Sequence, residues 1–128
     1  MSTTIANPVG VYDPGADITA QATAAVTARR FLAVSGNRTD GGNIAVAPAA
    51  AGVRACGVAG NDAAVGELVR VVRGNSRVVK VFASGAIAAG AEVQVGANGT
   101  ATTLAGGVAV GYAITGAADA TDAEISLY

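Results

Sequence analysis

The chain has 128 residues, the length of a single domain. Eight Lys and Arg residues face nine Asp and Glu residues, so the net charge of −1 argues against a surface for nucleic acid or for an anionic membrane. The sequence contains no His and one Cys, which excludes an internal disulfide and a Cys-His nucleophile.

Residues 1–16 predict an extended N-terminal arm rather than a core element. The segment shows no sustained periodicity, and four residues interrupt regular structure: Pro8, Gly10, Pro14 and Gly15. It has neither the basic region nor the apolar region of a secretory signal, so export by that route is not expected. Three apolar side chains interrupt its polarity, namely Val9, Val11 and Tyr12. A solvated tail does not need them, whereas an arm that docks onto a partner does.

Two β-branched runs in the middle of the chain, Leu68–Val72 and Val78–Phe82, predict strands. The connection between them has Gly-Asn at its centre, and glycine accepts the positive φ of a two-residue hairpin loop. We therefore predict that the two strands pair as a hairpin. Half of the cations of the chain surround its tip: Arg70, Arg73, Arg77 and Lys80. They either protect a sheet edge from aggregation or contact an acidic protein surface.

A second hairpin is predicted within the alanine-rich stretch AIAAGAEVQVGANGT at residues 86–100. The alternation through Val93 and Val95 and the turn chemistry of Asn-Gly outweigh the helix propensity of alanine, which is a weak determinant. Asn-Gly suits a two-residue type I′ turn. Such a turn places Val93 opposite Leu104 and Val95 opposite Thr102.

Three phrases recur in the same order in the two halves of the chain. Residues 26–34 resemble residues 87–95, residues 56–59 resemble residues 110–113, and residues 66–71 resemble residues 123–127. The first half contains a longer loop at residues 35–42, which is rich in Gly, Asn and Asp. Two related halves of one β unit are therefore predicted, since two repeats are too few for a solenoid.

No motif in the chain points to catalysis or to a cofactor. The acidic residues are scattered through predicted loops, and their spacing selects no glycosidase pair. The acids of residues 119–124 lack the glycine and the ligand register of a calcium loop. Neither Gly41-Gly42 nor Gly106-Gly107 leads into a phosphate-binding helix. We therefore predict no catalytic residue, no metal and no cofactor, and we expect that the protein is not an enzyme.

The order of the phrases at residues 25–34, 55–59, 64–71 and 86–93 resembles the capsid cement or head decoration proteins of tailed bacteriophages. The resemblance runs from Asp17 to the C-terminus. It implies a small all-β fold of the β-clip or β-tulip type that assembles as a homotrimer on the capsid. It also implies that the N-terminal arm orders against the major capsid protein.

We therefore expect one all-β domain at residues 17–128, a β-clip or β-tulip-like barrel of short strands, preceded by the arm at residues 1–16. The expected function is structural: a trimer made in the host cytoplasm binds the outer surface of a phage capsid and stabilises the shell. The expected partners are the major capsid protein and further copies of the chain, with no nucleic acid and no membrane. Candidate contact residues are Val9, Val11, Tyr12, Arg70, Arg73 and Arg77. The alternative is a carbohydrate-binding or adhesive all-β module of a phage tail or surface fibre.

Overall fold

A computed structural model describes residues 9–128, and the part of the predicted arm at residues 1–8 lies outside this range. The described residues form ten strands: β1 (Ile18–Ala22), β2 (Phe31–Gly36), β3 (Ile44–Pro48), β4 (Gly57–Ala59), β5 (Leu68–Val72), β6 (Val78–Phe82), β7 (Glu92–Val95), β8 (Ala101–Thr103), β9 (Gly111–Ala113) and β10 (Asp122–Leu127). The prediction of an all-β fold is confirmed. No helix within the described range is long and apolar enough to cross a membrane.

The first five strands close into a barrel in the order β1-β3-β2-β4-β5. In this barrel β1 runs parallel to β3 and antiparallel to β5. The last five strands form a second sheet in the order β6-β10-β9-β7-β8. An isolated parallel bridge joins Ala83, which follows β6, to Ala101 at the start of β8. The second sheet is therefore curved, and its two edge strands approach each other at the position where the first sheet closes into a barrel.

The two sheets are copies of one five-stranded unit. Strands β1 to β5 correspond in order to β6 to β10, and each pairing in the first set has its counterpart in the second. Bridges outside the strands recur as well, because Val26 pairs with Ala63 as Ile87 pairs with Ala117. The duplication predicted from the recurring phrases is confirmed. We call the two copies the N-terminal unit (β1 to β5) and the C-terminal unit (β6 to β10).

The prediction that β5 and β6 form a hairpin is wrong, although both strands have the predicted bounds. Strand β5 pairs with β1 and β4, whereas β6 pairs with β10. The connection between them carries the chain from one unit to the next. Within it, Gly74 has a φ of 132° and Ser76 N donates to Leu127 O at 2.7 Å. A β-branched strand can pair with any strand that buries the same face, and here each strand finds its partners in its own unit.

The second predicted hairpin does form, with a register one residue away from the prediction. Strands β7 and β8 are antiparallel, with Val93 opposite Thr103 and Val95 opposite Ala101. The connection is the five residues 96–100, which include a short 3-10 turn at Ala97–Gly99, rather than a two-residue turn. The observed register sets the small buried side chain of Ala101 against Val95.

The two units are joined through the residues at the start of β2. Phe31 points away from the barrel interior and is fully buried in the hydrophobic core of the C-terminal unit, together with Ala49 and Val58. The N-terminal unit has its own core, which contains Leu32. Because successive side chains of a strand point to opposite faces, neighbouring residues of β2 serve the two different cores.

Close backbone contacts accompany this joint. A Cβ on Gly99, in the β7–β8 loop, would lie 2.5 Å from Phe31 O. A Cβ on Gly107 would lie 2.7 Å from the Cα of Gly52. At both places the backbones of the two units approach more closely than a residue with a side chain permits.

Two arginines border the joint on its exposed side. Arg29 Nη1 donates to Asp122 Oδ2 at 2.9 Å. The guanidinium of Arg30 lies 4.8 Å from the centre of the Phe82 ring, within the range of a cation–π interaction. The phrase Arg29-Arg30-Phe31 therefore connects the N-terminal unit to the C-terminal unit through three consecutive side chains.

Replacing Phe31 with alanine is expected to lower the free energy of unfolding by about 3–5 kcal/mol, because the change leaves a cavity between the units. Urea denaturation followed by circular dichroism measures this loss. Glu92 occupies the equivalent position in the C-terminal unit and is exposed. Glu92→Ala is therefore expected to change the free energy by less than about 0.5 kcal/mol. Equal losses in the two variants would contradict the role of Phe31 in joining the units.

Candidate functional site

The arm base, residues 13–16, is fastened to the body of the protein by arginines and by Asp17, which directly follows it. Asp17 lies immediately before β1, and its carboxylate accepts a hydrogen bond from Arg70 Nε at 2.5 Å and another from Arg77 Nη1 at 2.5 Å. Arg70 belongs to β5 of the N-terminal unit, whereas Arg77 directly precedes β6 of the C-terminal unit. Asp17 therefore ties the arm base to both units.

The two guanidinium groups lower the pKa of Asp17. The hydrogen bond from Arg70 is the largest cause, partial desolvation opposes it, and the hydrogen bond and charge of Arg77 add to the lowering. The ion pairs are solvent-accessible, with 57% of the Arg70 side chain exposed. Each is therefore expected to contribute roughly 0.2–1 kcal/mol, as surface pairs do.

A third arginine holds the backbone of the arm base. Arg73 Nη2 donates to Asp13 O at 2.7 Å, and Arg77 Nη1 reaches Gly15 O at 3.5 Å. Gly15 also packs against the connection between the units, where a Cβ on Gly74 would lie 3.1 Å from its Cα. The positive φ of Gly74 and this close contact both favour glycine at that position.

Residues 9–12 are the first described residues of the arm, and we call them the arm tip; they present apolar side chains to solvent. Val9 is 85% exposed and Val11 is 70% exposed. Tyr12 is partly covered by Arg38, which donates from Nη1 to the tyrosine Oη at 3.1 Å and lies 5.7 Å from the ring centre. Tyr12 is therefore held against the β2–β3 loop.

The structure brings the predicted contact residues into one region of the molecule. The three predicted arginines gather on the arm base rather than around the tip of a hairpin, and their side chains bind the arm itself. The three predicted apolar residues form the arm tip next to them. The contact of these residues with a capsid or with another subunit stays a prediction.

An exposed apolar face on the C-terminal unit was not identified from the sequence. The rings of Tyr112 and Tyr128 have their centres 6.3 Å apart and their planes tilted by 39°. Ile114, two residues beyond Tyr112, is exposed as well. Partial desolvation and the neighbouring Glu92 carboxylate raise the pKa of Tyr128. The recurrence of the two halves contains a signal for this face, because it aligns Tyr112 with Val58, which is buried.

A cavity of about 360 Å³ lies at the junction of the two units. Its walls include Arg54 and Arg73 from the N-terminal unit and Leu127 and Tyr128 from the C-terminal unit. Cys56 is half-buried in the wall, and burial raises the pKa of its thiol. The thiol is therefore protonated at neutral pH and is not an activated nucleophile. The described range contains no group of three or more His, Cys, Asp or Glu residues arranged to hold a metal ion.

Comparison with known proteins shows a similarity to one protein family and to solved structures. A family model of phage cement proteins matches residues 12–127, which cover both units and reach the arm tip. Among solved structures, the N base of the head fiber gp8.5 of bacteriophage phi29 is similar, with a TM-score of 0.75 and 27% sequence identity. The similarity covers 88% of this chain and 93% of that chain. No curated protein matches the chain by sequence.

Replacing Asp17 with asparagine is expected to lower the free energy of unfolding by about 1 kcal/mol near neutral pH. Because folding lowers the pKa of Asp17, the contribution of the carboxylate is fully present above its ordinary pKa of 3.8 and is lost as the pH falls through the lower folded value. The difference between wild type and variant is therefore expected to be constant from about pH 5 to pH 7 and to shrink below about pH 4. Urea titrations across this range measure it.

Asp40 provides the matched control, because it is exposed and forms no ion pair within the described residues. Asp40→Asn is expected to leave the unfolding free energy within about 0.5 kcal/mol of wild type at each pH. A difference between wild type and Asp17→Asn that grows toward acid pH would contradict the assignment.

Proposed function

The chain belongs to the phage cement protein family, and from that membership we propose that it binds the outside of a bacteriophage capsid as a homotrimer and stabilises the shell. It is a structural phage virion protein, in line with its similarity to the base of a phage head fiber. The proposed partner is the major capsid protein. Family membership supports a structural rather than a catalytic role. The observation that carries the proposal is an arm whose tip is apolar and whose base is fixed to both units.

The arm tip has the chemistry of a docking segment. Val9 and Val11 are exposed, and full burial of one such side chain contributes about 1.5–3 kcal/mol. Arg70, Arg73 and Arg77 act indirectly, because they fix the arm base and so reduce the conformational entropy lost when the tip binds. We assign residues 1–16 to the capsid-binding arm and residues 17–128 to the all-β domain.

A trimer multiplies the strength of this contact. Three arms meet three symmetry-related shell subunits, and after the first arm binds, the others bind at high effective concentration. Modest contacts at each arm therefore give tight collective binding. A trimer that binds the intact shell and not a ruptured one stabilises the intact shell by the free energy of binding itself.

Adhesion to carbohydrate is the second candidate function. It is favoured by the exposed rings of Tyr112 and Tyr128, since tyrosine offers an apolar ring together with a polar hydroxyl. A glycan array separates the two functions. Saturable binding to glycans without binding to undecorated capsids would replace the proposed function with adhesion.

Replacing Val9 and Val11 together with aspartate is expected to weaken binding to undecorated capsids by at least about a hundredfold, because two apolar side chains lose their burial and two charges must be desolvated. Co-sedimentation of the full chain with purified shells measures the binding. Native mass spectrometry of the same sample checks that the oligomeric state is unchanged.

Val65→Asp serves as the matched control, because Val65 is 68% exposed in the loop between β4 and β5 and lies in the all-β domain. It is expected to sediment with shells as wild type does. Wild-type binding by the double arm variant would refute the role of the arm tip. A chain that never binds shells, with or without these changes, would refute the proposed function.

A further inference from the structure

We propose that the outer face of the C-terminal unit, at Leu104, Val108 and Tyr112, binds a second copy of this chain. The surface bound on that copy is the rim of its N-terminal unit, by which we mean the part of β2 around Val34. The inference rests on the proposed homotrimer and assigns its subunit interface. The two surfaces are the partly exposed counterparts of the surfaces that join the units within one chain.

The joint within one chain shows what such an outer face binds. Phe31, Ala49 and Val58 lie on the outer face of the N-terminal unit and are buried in the core of the C-terminal unit. Beside them, Gly52 N donates to Val95 O at 2.8 Å. The same face therefore meets the rim of the C-terminal unit, which is the end of β7 at Val95. The joint is heterologous, because the outer face of one unit meets the rim of the other.

The equivalent outer face of the C-terminal unit is exposed. Its strand pairings and hydrogen bonds place Glu92, Leu104 and Tyr112 where the N-terminal unit has Phe31, Ala49 and Val58. Tyr112 is 38% exposed, whereas Val58 is 2% exposed. Val108 is 44% exposed at the edge of this face, where its N–H donates to Gly52 O of the N-terminal unit at 3.0 Å.

The equivalent rim of the N-terminal unit is open as well. Val34 lies opposite Val46 in β3, as Val95 lies opposite Ala101 in β8. Val34 is 59% exposed, whereas Val95 is fully buried. Each chain therefore exposes the counterparts of both surfaces that its own units use to bind each other. A second copy of the chain is the partner that carries the complement of each.

The loop contact beside the joint also has a counterpart between copies. Within the chain, Phe31 packs against Gly99 of the β7–β8 loop. The same contact between copies sets Glu92, the counterpart of Phe31, against the β2–β3 loop, which carries both Arg38 and Asp40. The contact between copies is therefore polar where the joint within the chain is apolar. A heterologous contact that closes on itself generates a ring. In a ring of three chains, N-terminal and C-terminal units alternate around the axis.

The test uses two single-cysteine chains in which Cys56 is replaced with alanine. One chain carries Val34→Cys and the other carries Val108→Cys. Val108 follows the counterpart of Gly52, the residue whose N–H binds Val95, so it is expected to lie beside Val34 of the neighbouring copy. The chains are co-expressed, one of them with a short affinity tag that sets its mass apart, and they are treated with a short bismaleimide in solution and on capsids. We expect crosslinked pairs that contain one chain of each kind, and little crosslinking of either variant alone.

The outcomes separate the interface from the proposed function. A self-crosslink of either variant alone, or the absence of mixed crosslinks in a sample that native mass spectrometry shows to be trimeric, overturns the interface and leaves the homotrimer intact. A chain that is monomeric both in solution and on capsids overturns the interface and the homotrimer together. Co-sedimentation with shells reports on capsid binding independently of either result.

A substitution in the same face gives a second measurement. Tyr112→Asp is expected to weaken self-association by at least about tenfold, because a charge replaces the aromatic centre of the interface. Leu68→Asp is the control, since Leu68 is an exposed strand residue of the other unit outside the assigned surfaces. Thermal melting checks that both variants are folded. A folded Tyr112→Asp chain that associates as wild type does would overturn the interface.

Discussion

The burial of Phe31 in the core of the neighbouring unit is the constraint on which the rest of the structure depends. Strands β6 and β8 of the C-terminal sheet meet only through the bridge at Ala83, and the outer face of the N-terminal unit covers the core that this sheet encloses. Such a cover requires close approach of two backbones, which the glycines at positions 99 and 107 permit. Alanine serves the same purpose within both cores, where a larger side chain would separate the strands from what they pack against. The abundance of small residues therefore reflects the joint between two sheets rather than helical structure.

The same joint fixes the direction of the arm. Asp17 forms one ion pair with an arginine of a strand in the N-terminal unit and another with the arginine that directly precedes the C-terminal unit. The position of the arm base therefore depends on the relative position of the two units. Exposed ion pairs of this kind contribute little stability individually. These ion pairs matter more for position than for stability, because two donors on different elements restrict the Asp17 carboxylate to one position. Burial of Phe31 thus supplies the free energy that holds the two units together. The ion pairs of Asp17 with both units then fix the orientation of the arm.

Local patterns in the sequence predict the strands and their duplication, but they do not predict which strands pair. The bounds of β5 and β6 follow from β-branched alternation, yet alternation is the same whichever strand lies alongside. The hydrogen bond between Arg70 and Asp17 joins residues 53 positions apart, and no local signal connects them. The local pattern therefore predicts that the arginines lie on a hairpin, whereas in the structure they bind the arm base. The exposed face at Tyr112 is different, because the sequence does contain a signal for it. Aligning the two halves places this tyrosine at the position of a valine that is buried in the N-terminal unit.

The divergence of the two units explains how one duplicated fold carries two kinds of contact. If the C-terminal unit had phenylalanine and valine at positions 92 and 112, as the N-terminal unit has at 31 and 58, its outer face would be as apolar as the joint. Such a face would associate through any free rim, and a heterologous contact that does not close produces open chains of subunits. Glu92 and Tyr112 instead give this face a charge and a hydroxyl, which water solvates well, while the tyrosine ring keeps an apolar surface for burial. An outer face of this composition is compatible with both exposure and burial, whereas the apolar face at Phe31 is stable only when covered. The proposed homotrimer uses one face of each kind, the apolar face within each chain and the more polar face between chains.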